Sequence, residues 1–425
     1  MVRALIILVI LNLSSLALAK GKSHSETIRS YPVHTQLLND PKNKIPKEFK
    51  AHPDIMPRVH FWFNVYTKFS SKDHIIHHTL HPWIVYEVVN VDNFYKKYKS
   101  KAYAKKKAED YVRKRKKHYR KIINKLARLK KFNKLNAAEH AVLKKVQHLG
   151  KQYKKNLWIA RKNIRSQTGQ NDFFHEGVLA STEYEEHMKE IFAQQGLPTE
   201  LTYLTLVESS FNLKAQSKVG ASGIWQIMPP TGKQYGIVNR SIDERNSPLK
   251  ATLMAAKLMK FNFKQLQNWP LAITAYNNGI GNIRKSLRRA RTKNPYVLIN
   301  NHRRGAFGFA SANFYASFIA AVYTKKYSKE IFKVKPLKTI ELETVYFKNK
   351  TSLRHIIRHT GISLKQIKNL NYDLKKRIGL STFLPKKFIL FLPVGSSKKL
   401  LNRSTYLVNV DGKKSYASPE KSPRS

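Results

Sequence analysis

The stretch Leu201-Thr202-Tyr203-Leu204-Thr205-Leu206-Val207-Glu208-Ser209 sets Leu201, Leu204, Thr205 and Glu208 at i, i+3, i+4 and i+7. On a helix these four share one face, so a carboxylic acid is carried toward apolar surroundings at the helix's far end. Desolvation there raises a carboxyl pKa, which is what a general acid working near neutral pH requires. Just upstream, Tyr184, Met188, Ile191 and Phe192 mark the buried stripe of a helix that stops at Gly196-Leu197-Pro198. Thr199 then reads as an N-cap and Glu200 as a first-turn acid of the Glu208 helix. Between residues 201 and 329 the only other acids are Asp243 and Glu244. Taken alone, the pattern fits equally a catalytic acid and a structural Glu paired with a Lys or Arg.

The residues downstream of Glu208 bear on that choice. Ser217-Lys218-Val219-Gly220-Ala221-Ser222-Gly223 is a small-residue turn, and it leads into Ile224-Trp225-Gln226-Ile227-Met228-Pro229-Pro230-Thr231-Gly232. A polar Gln226 between Trp225 and Met228 suits a sugar cleft, where an amide reads hydroxyls and broad apolar groups cover ring faces. Ser247-Pro248 starts a core helix, and Pro270 opens another that runs through Ala275-Tyr276-Asn277 and closes at Asn278-Gly279.

Glu208-Ser209, the 217–223 turn, Trp225-Gln226-Ile227-Met228-Pro229 and Ala275-Tyr276-Asn277-Asn278-Gly279 together resemble the successive motifs of the lytic transglycosylase (SLT domain) family. The stretches Gly196-Leu197-Pro198-Thr199-Glu200-Leu201 and Phe307-Gly308-Phe309-Ala310-Ser311-Ala312-Asn313-Phe314-Tyr315 are similar to its membrane-bound lytic murein transglycosylase D-like branch. The resemblance implies a lysozyme-like, mainly helical catalytic domain over residues 166–332 with Glu208 as its single acid/base. It also implies that Ser217, Gln226, Met228, Tyr276 and Asn277 line the glycan cleft. Ala310-Ser311 stands where soluble relatives carry Glu-Thr, and reads as a difference of lineage.

The 425 residues carry 80 Lys and Arg against 26 Asp and Glu, a net charge of +54, and no cysteine. The absence of cysteine excludes disulfide scaffolds, thiolate metal sites and an acylated N-terminal Cys. Residues 1–19, with Arg3, an apolar core and Ala17-Leu18-Ala19, read as a cleavable signal peptide, with an uncleaved anchor as the alternative. Residues 20–56 read as a linker, and 57–165 as a hairpin followed by a basic helical module. The alternation in His60-Phe61-Trp62-Phe63-Asn64-Val65-Tyr66 and in Trp83-Ile84-Val85-Tyr86-Glu87-Val88-Val89 predicts two strands. His74, His77, His78 and His81 read as exposed turn histidines, with a metal site as the other reading.

Residues 96–165 hold 27 Lys and Arg against Glu109, Asp110 and Glu139, and Ile122, Leu126, Leu129, Leu135, Val142 and Val146 recur at helical steps. A helical hairpin with basic outer faces is expected, either gripping a polyanion or simply solvated. Residues 335–395 run strand, helix, helix, strand. Ser352-Leu353, Gly361-Ile362-Ser363, Leu370-Asn371 and Leu392-Pro393 there resemble a divergent LysM module, a family that binds N-acetylglucosamine-containing glycans. Tyr406 to Gly412 look like the opening of a second copy, and 396–425 read as a disordered basic tail.

The fold expected is thus α+β, mainly α: a lysozyme-like domain, a basic helical N-terminal module and a small LysM-like βααβ module. The function implied is non-hydrolytic cleavage of the MurNAc-GlcNAc β-1,4 bond of peptidoglycan in the periplasm, giving 1,6-anhydromuramyl ends. The alternatives are a goose-type lysozyme hydrolase, a non-catalytic peptidoglycan-binding protein, and a polyanion-binding secreted protein. No cofactor or metal is expected. Peptidoglycan strands are the expected partner, with anionic envelope polymers next and nucleic acid last.

Overall fold

The computed structural model describes residues 34–410, so the signal-peptide segment lies outside the described residues. The described chain divides into two compact units, one of residues 34–176 with 265–334, the other of 177–264 with 335–410. Helices dominate and the sheets are small, so the expectation of a mainly α, α+β protein holds. Among the described residues no helix is long and apolar enough to cross a membrane.

The first unit starts earlier than expected. Residues 35–55 are not a linker: three short 3-10 turns bury Leu37, Leu38, Phe49 and Ile55, and Asp40 accepts a 2.6 Å hydrogen bond from the Tyr327 hydroxyl. The stretch around His60 is helix α1 (Met56–Thr67), not a strand. Val59, Phe61, Trp62, Phe63, Val65 and Tyr66 are all buried, so α1 is apolar on nearly every side and its apparent alternation carries no facial information.

Strands β1 (Asp73–His78) and β2 (Val85–Asn90) form the hairpin, with β2 where the sequence placed it and β1 as its unforeseen partner. His77 and His78 are buried on β1, which corrects the reading of exposed turn histidines. No group of three metal-ligating side chains occurs among the described residues.

Helix α2 (Asp92–Lys97) leads into α3 (Lys101–Arg128), α4 (Ala137–Gln147) and α5 (Tyr153–Ala160), three helices where a hairpin of two was expected. Ile122, Leu126, Val142 and Val146 are buried in their shared core, with Leu129 and Leu135 packed against it. Strand β3 (Ile164–Thr168) pairs with β1 to complete a three-stranded sheet of order β2-β1-β3.

Helices α6 (Asn171–Ser181) and α7 (Glu185–Gln194) come next, and a 3-10 turn over Thr199–Tyr203 then enters α8 (Leu204–Ser209), which carries Glu208. Thr199 does not cap: it lies inside the 3-10 turn behind Pro198, and its hydroxyl turns to Glu200. Beyond lie α9 (Pro229–Tyr235), α10 (Pro248–Leu266), α11 (Trp269–Asn278), α12 (Ile280–Ala290), α13 (Pro295–Asn301), α14 (Phe309–Lys326) and α15 (Ser328–Phe332). Helix α1 packs along α14, which is buried from Ser311 to Lys325, and Trp62 Nε1 donates to Asn313 Oδ1 at 3.3 Å. Residues 57–67 therefore belong with this core rather than to a separate N-terminal module.

In the second unit, β4 (Glu343–Phe347), α16 (Leu353–Thr360), α17 (Leu364–Leu370) and β7 (Phe388–Leu392) follow the expected strand, helix, helix, strand order, and two unforeseen short strands, β5 (Thr351–Ser352) and β6 (Phe383–Leu384), pair with each other on either side of the helices. β4 and β7 pair antiparallel from Glu343↔Leu392 to Phe347↔Phe388. The tail does not begin at 396, because β8 (Thr405–Leu407) pairs with the free edge of β4. The supposed second copy is thus the third strand of the first sheet, and an otherwise open edge is covered.

Candidate active site

Glu208 lies one residue before the end of α8, whose C-cap Ser210 adopts φ 49°. Its side chain is half-buried and has no hydrogen-bond or ion-pair partner among the described residues. Desolvation pushes its carboxyl up to about 8. A lone acid in this state is protonated at neutral pH and able to donate.

The helix end is locked by small groups. Ser209 Oγ donates to Ile224 O at 2.9 Å and also accepts the Asn212 N–H, so α8 is tied to the segment just after the glycine turn. A Cβ on Gly177 of α6 would meet Ser210 O at 2.3 Å, so glycine there allows α6 to lie against the end of α8.

The 215–227 segment is a knot of short bridges, Gln216↔Ser222 and Ser222↔Ile227. Ser217 closes it from within: its hydroxyl accepts the Ala221 N–H at 2.8 Å. Gly223 has φ +75°, and a Cβ there would lie 1.9 Å from Arg245 O, so the turn admits only glycine on two counts.

Gln226, at φ 46°, turns its amide nitrogen inward onto Gly223 O (2.8 Å) and Ala215 O (3.3 Å), leaving Oε1 buried without a partner among the described residues. Trp225 is not a sugar platform. It is fully buried, stacked on Phe192 at 5.6 Å and 12°, and donates to Thr252 Oγ1 at 2.8 Å. Met228, 41% exposed at the N-cap of α9, and Val219, 45% exposed in the glycine turn, are the large apolar groups presented to solvent here.

Sequence reasoning missed the residue that holds the knot. Arg245 forks onto Asp243 through Nε (2.9 Å) and Nη2 (2.8 Å), while its Nη1 donates to Gly220 O (2.7 Å) and Ile227 O (2.9 Å). The signal available was an Asp-x-Arg pair placed after a glycine turn rich in carbonyls. Glu244 is also committed, accepting the Ile237 N–H at 2.8 Å and pairing with Lys250 at 3.2 Å. Both other acids of residues 201–329 are thus bound into structure, and Glu208 is left as the uncommitted one.

Tyr276 and Asn277 lie in the other unit, half-buried near the end of α11. That helix is capped by Asn268, whose side chain accepts the Leu271 N–H, and it ends at Gly279 with φ 78°. Asn277 Oδ1 is buried without a hydrogen-bond partner among the described residues.

Comparison with known proteins places a family on this region. Residues 188–299 match the transglycosylase SLT domain. The chain is 33% identical over 118 residues to membrane-bound lytic murein transglycosylase D of Escherichia coli K12, covering 27% of this chain and 26% of that protein. It is 32% identical over 108 residues to a putative tributyltin chloride resistance protein of Alteromonas, covering 25% and 52%. The match therefore spans about a quarter of the length of the transglycosylase D relative. Among solved structures, an inactive mutant of lytic transglycosylase Slt from Pseudomonas aeruginosa gives a TM-score of 0.30 at 19% identity, covering 50% of this chain and 33% of that one. The 70 kDa soluble lytic transglycosylase of Escherichia coli gives 0.30 at 18%, covering 52% and 44%.

Proposed function

From a chain that belongs with the lytic transglycosylases through its SLT domain, we infer a peptidoglycan-cleaving enzyme that uses Glu208 as its one acid/base. The observation that carries this reading is the isolation of Glu208: its pKa is raised to about 8 by burial, while Asp243 and Glu244 are held by Arg245 and Lys250. Two-carboxylate glycosidases need a second acid roughly 5 to 9.5 Å from the first. A transglycosylase needs only one, because the substrate supplies the nucleophile.

Protonated Glu208 donates to the oxygen linking N-acetylmuramic acid to N-acetylglucosamine, and that bond breaks. The Glu208 carboxylate then takes the proton of the muramyl 6-hydroxyl, whose oxygen closes onto the anomeric carbon. The products are a free N-acetylglucosamine 4-hydroxyl and a 1,6-anhydromuramyl end, no water is consumed, and Glu208 regains its proton.

In this reading Ser217 and Gln226 shape the loop beside the acid through the bonds described, and Met228 supplies an apolar surface to a sugar ring. Tyr276 and Asn277 take glycan-contact roles by their place in the family motif. The C-terminal βααβ module is read as LysM-like and glycan-binding, and the protein as exported to the periplasm. Mass spectrometry of sacculi digested by the full chain tests the function. Anhydromuramyl ends, absent with Glu208→Gln, are expected; reducing ends would mean a hydrolase of the goose-type kind, and no new ends a wall-binding protein.

A further inference from the structure

Arg58 is completely buried near the start of α1. Among the described residues its guanidinium meets only neutral acceptors: Nη2 donates to Leu80 O at 2.7 Å, Nε to Asn300 Oδ1 at 3.1 Å and Nη1 to Asn313 Oδ1 at 3.2 Å, with the Trp83 ring 5.2 Å away. The groups around it are basic as well. His78 and His81 flank Leu80, their rings 5.0 Å apart, and Arg303 lies three residues after Asn300. All of these belong to the first unit.

Two of these neighbours hold donors that nothing among the described residues accepts. His78 Nδ1 accepts the N–H groups of Leu80 (3.0 Å) and His81 (3.2 Å), so the neutral ring carries its proton on Nε2, and that atom is buried without a partner. Arg303 is fixed by its Nη1 on His302 O at 2.5 Å, yet its Nε and Nη2 are both buried without partners. His81 Nδ1 is buried without a partner too.

The edge that Arg303 leaves open has a known use in this chain. Arg245 grips Asp243, and Arg115 grips Glu87, each through Nε and Nη2 onto the two oxygens of one carboxylate. Arg303 presents that same fork with no carboxylate among the described residues to meet it. Burying a guanidinium without an anion is costly, and a side-on oxyanion satisfies both donors at once. The cluster's own electrostatics agree: burial and the Arg303 charge bring Arg58 down to about 9, and burial brings Arg303 down to about 10.

We propose that Arg303, with Arg58, His78 and His81, forms a binding site for a small oxyanion, a carboxylate or a phosphate group. The Arg303 fork takes two of its oxygens, the His78 Nε2–H donates to it, and Arg58 supplies charge from behind. The site is independent of the chemistry at Glu208, so loss of the transglycosylase reading would leave it standing.

The test measures thermal unfolding of the full chain at fixed ionic strength with two probes, inorganic phosphate and a short peptide bearing a free C-terminal carboxylate. One probe is expected to raise the Tm by several degrees, and which one does so names the source of the oxyanion. Arg303→Gln should need at least tenfold more of that probe for the same shift. Arg304→Gln removes the same charge from an exposed neighbour and should respond as the parent does. Without ligand, Arg303→Gln should be at least as stable as the parent, because an uncompensated buried charge is gone. Arg303→Lys, which keeps the charge but loses the fork, should also bind more weakly and decides the matter if the Gln variant fails to fold. No shift with either probe in the parent, or equal responses from the Arg303 and Arg304 variants, would overturn the proposal.

Discussion

Lys250 Nζ lies 2.7 Å from Asp373 Oδ2, joining α10 to the turn after α17 through an ion pair in which both side chains are buried. The pair does not stand alone. Lys250 also reaches Glu244 at 3.2 Å and sits 3.8 Å from the Phe388 ring centroid, while Asp373 O accepts the Asp243 N–H at 2.8 Å. Ile242, from the same loop, is buried in the hydrophobic core of the C-terminal module beside Leu374. The module is therefore packed into the segment that carries Asp243 and Arg245, rather than appended to it.

Breaking this pair from one side leaves a buried charge uncompensated. Lys250→Met should lower stability by about 3–5 kcal/mol, and Lys250→Met with Asp373→Leu should recover much of the loss. Urea unfolding of both variants measures it. A single variant within about 1 kcal/mol of the parent would show that the pair contributes little.

Glu208 links stability to pH. Its folded pKa of about 8 lies above the ordinary value of 4.5, so between those limits the native state holds a proton that the unfolded chain has released. Stability from this group is complete below pH ~4.5 and is lost as pH rises through about 8. Glu208→Gln removes that dependence and should stabilise the protein at pH 8 by about 1–3 kcal/mol, allowing for the partial exposure of the carboxyl. Unfolding at pH 4 and pH 8 checks the sign: a variant less stable than the parent at pH 8 contradicts a desolvated acid.

The basic face of α3 gives a salt-dependent expectation. The three acids of residues 96–165 are already taken, Glu109 by Lys105 (4.0 Å), Asp110 by Arg113 (2.8 Å) and Glu139 by Lys125 (2.7 Å). Lys106, Lys114, Lys117 and Lys121 remain exposed along the helix. Replacing these four with Gln should weaken sacculus binding several-fold at low salt and flatten its salt dependence, since exposed charges are screened over ~8 Å at physiological ionic strength. Tm should hardly move. Truncation before residue 166 cannot make this test, because it would also strip α1 from α14. Unchanged binding of the substituted protein would leave the face a solvated surface.

Local order in the sequence determined the parts whose signal is local. The proline-led starts of α10 and α11 and the Gly279 stop are set by capping and turn chemistry within a few residues, whereas of the helix expected from Thr199 to Glu208 only Leu204–Ser209 is α-helical, entered through a 3-10 turn rather than a Thr199 cap. The ordered run of short motifs was enough to reveal the SLT domain.

Only the tertiary structure decided what depends on long-range burial. Residues 60–66 alternate like a strand, yet they form a helix that α14 and its neighbours cover on nearly every side, and a helix buried that far round leaves little facial pattern to read. Trp225 and Gln226 read as cleft residues by type, but Phe192, Thr252 and the carbonyls of Ala215 and Gly223 draw them inward. The partners of Asp373 and Arg58 lie outside each residue's own segment, and the fork of Arg303 has none among the described residues, so no local pattern encodes either outcome. Burial makes their satisfaction obligatory, and only the folded chain shows which of these charges found a partner and which did not.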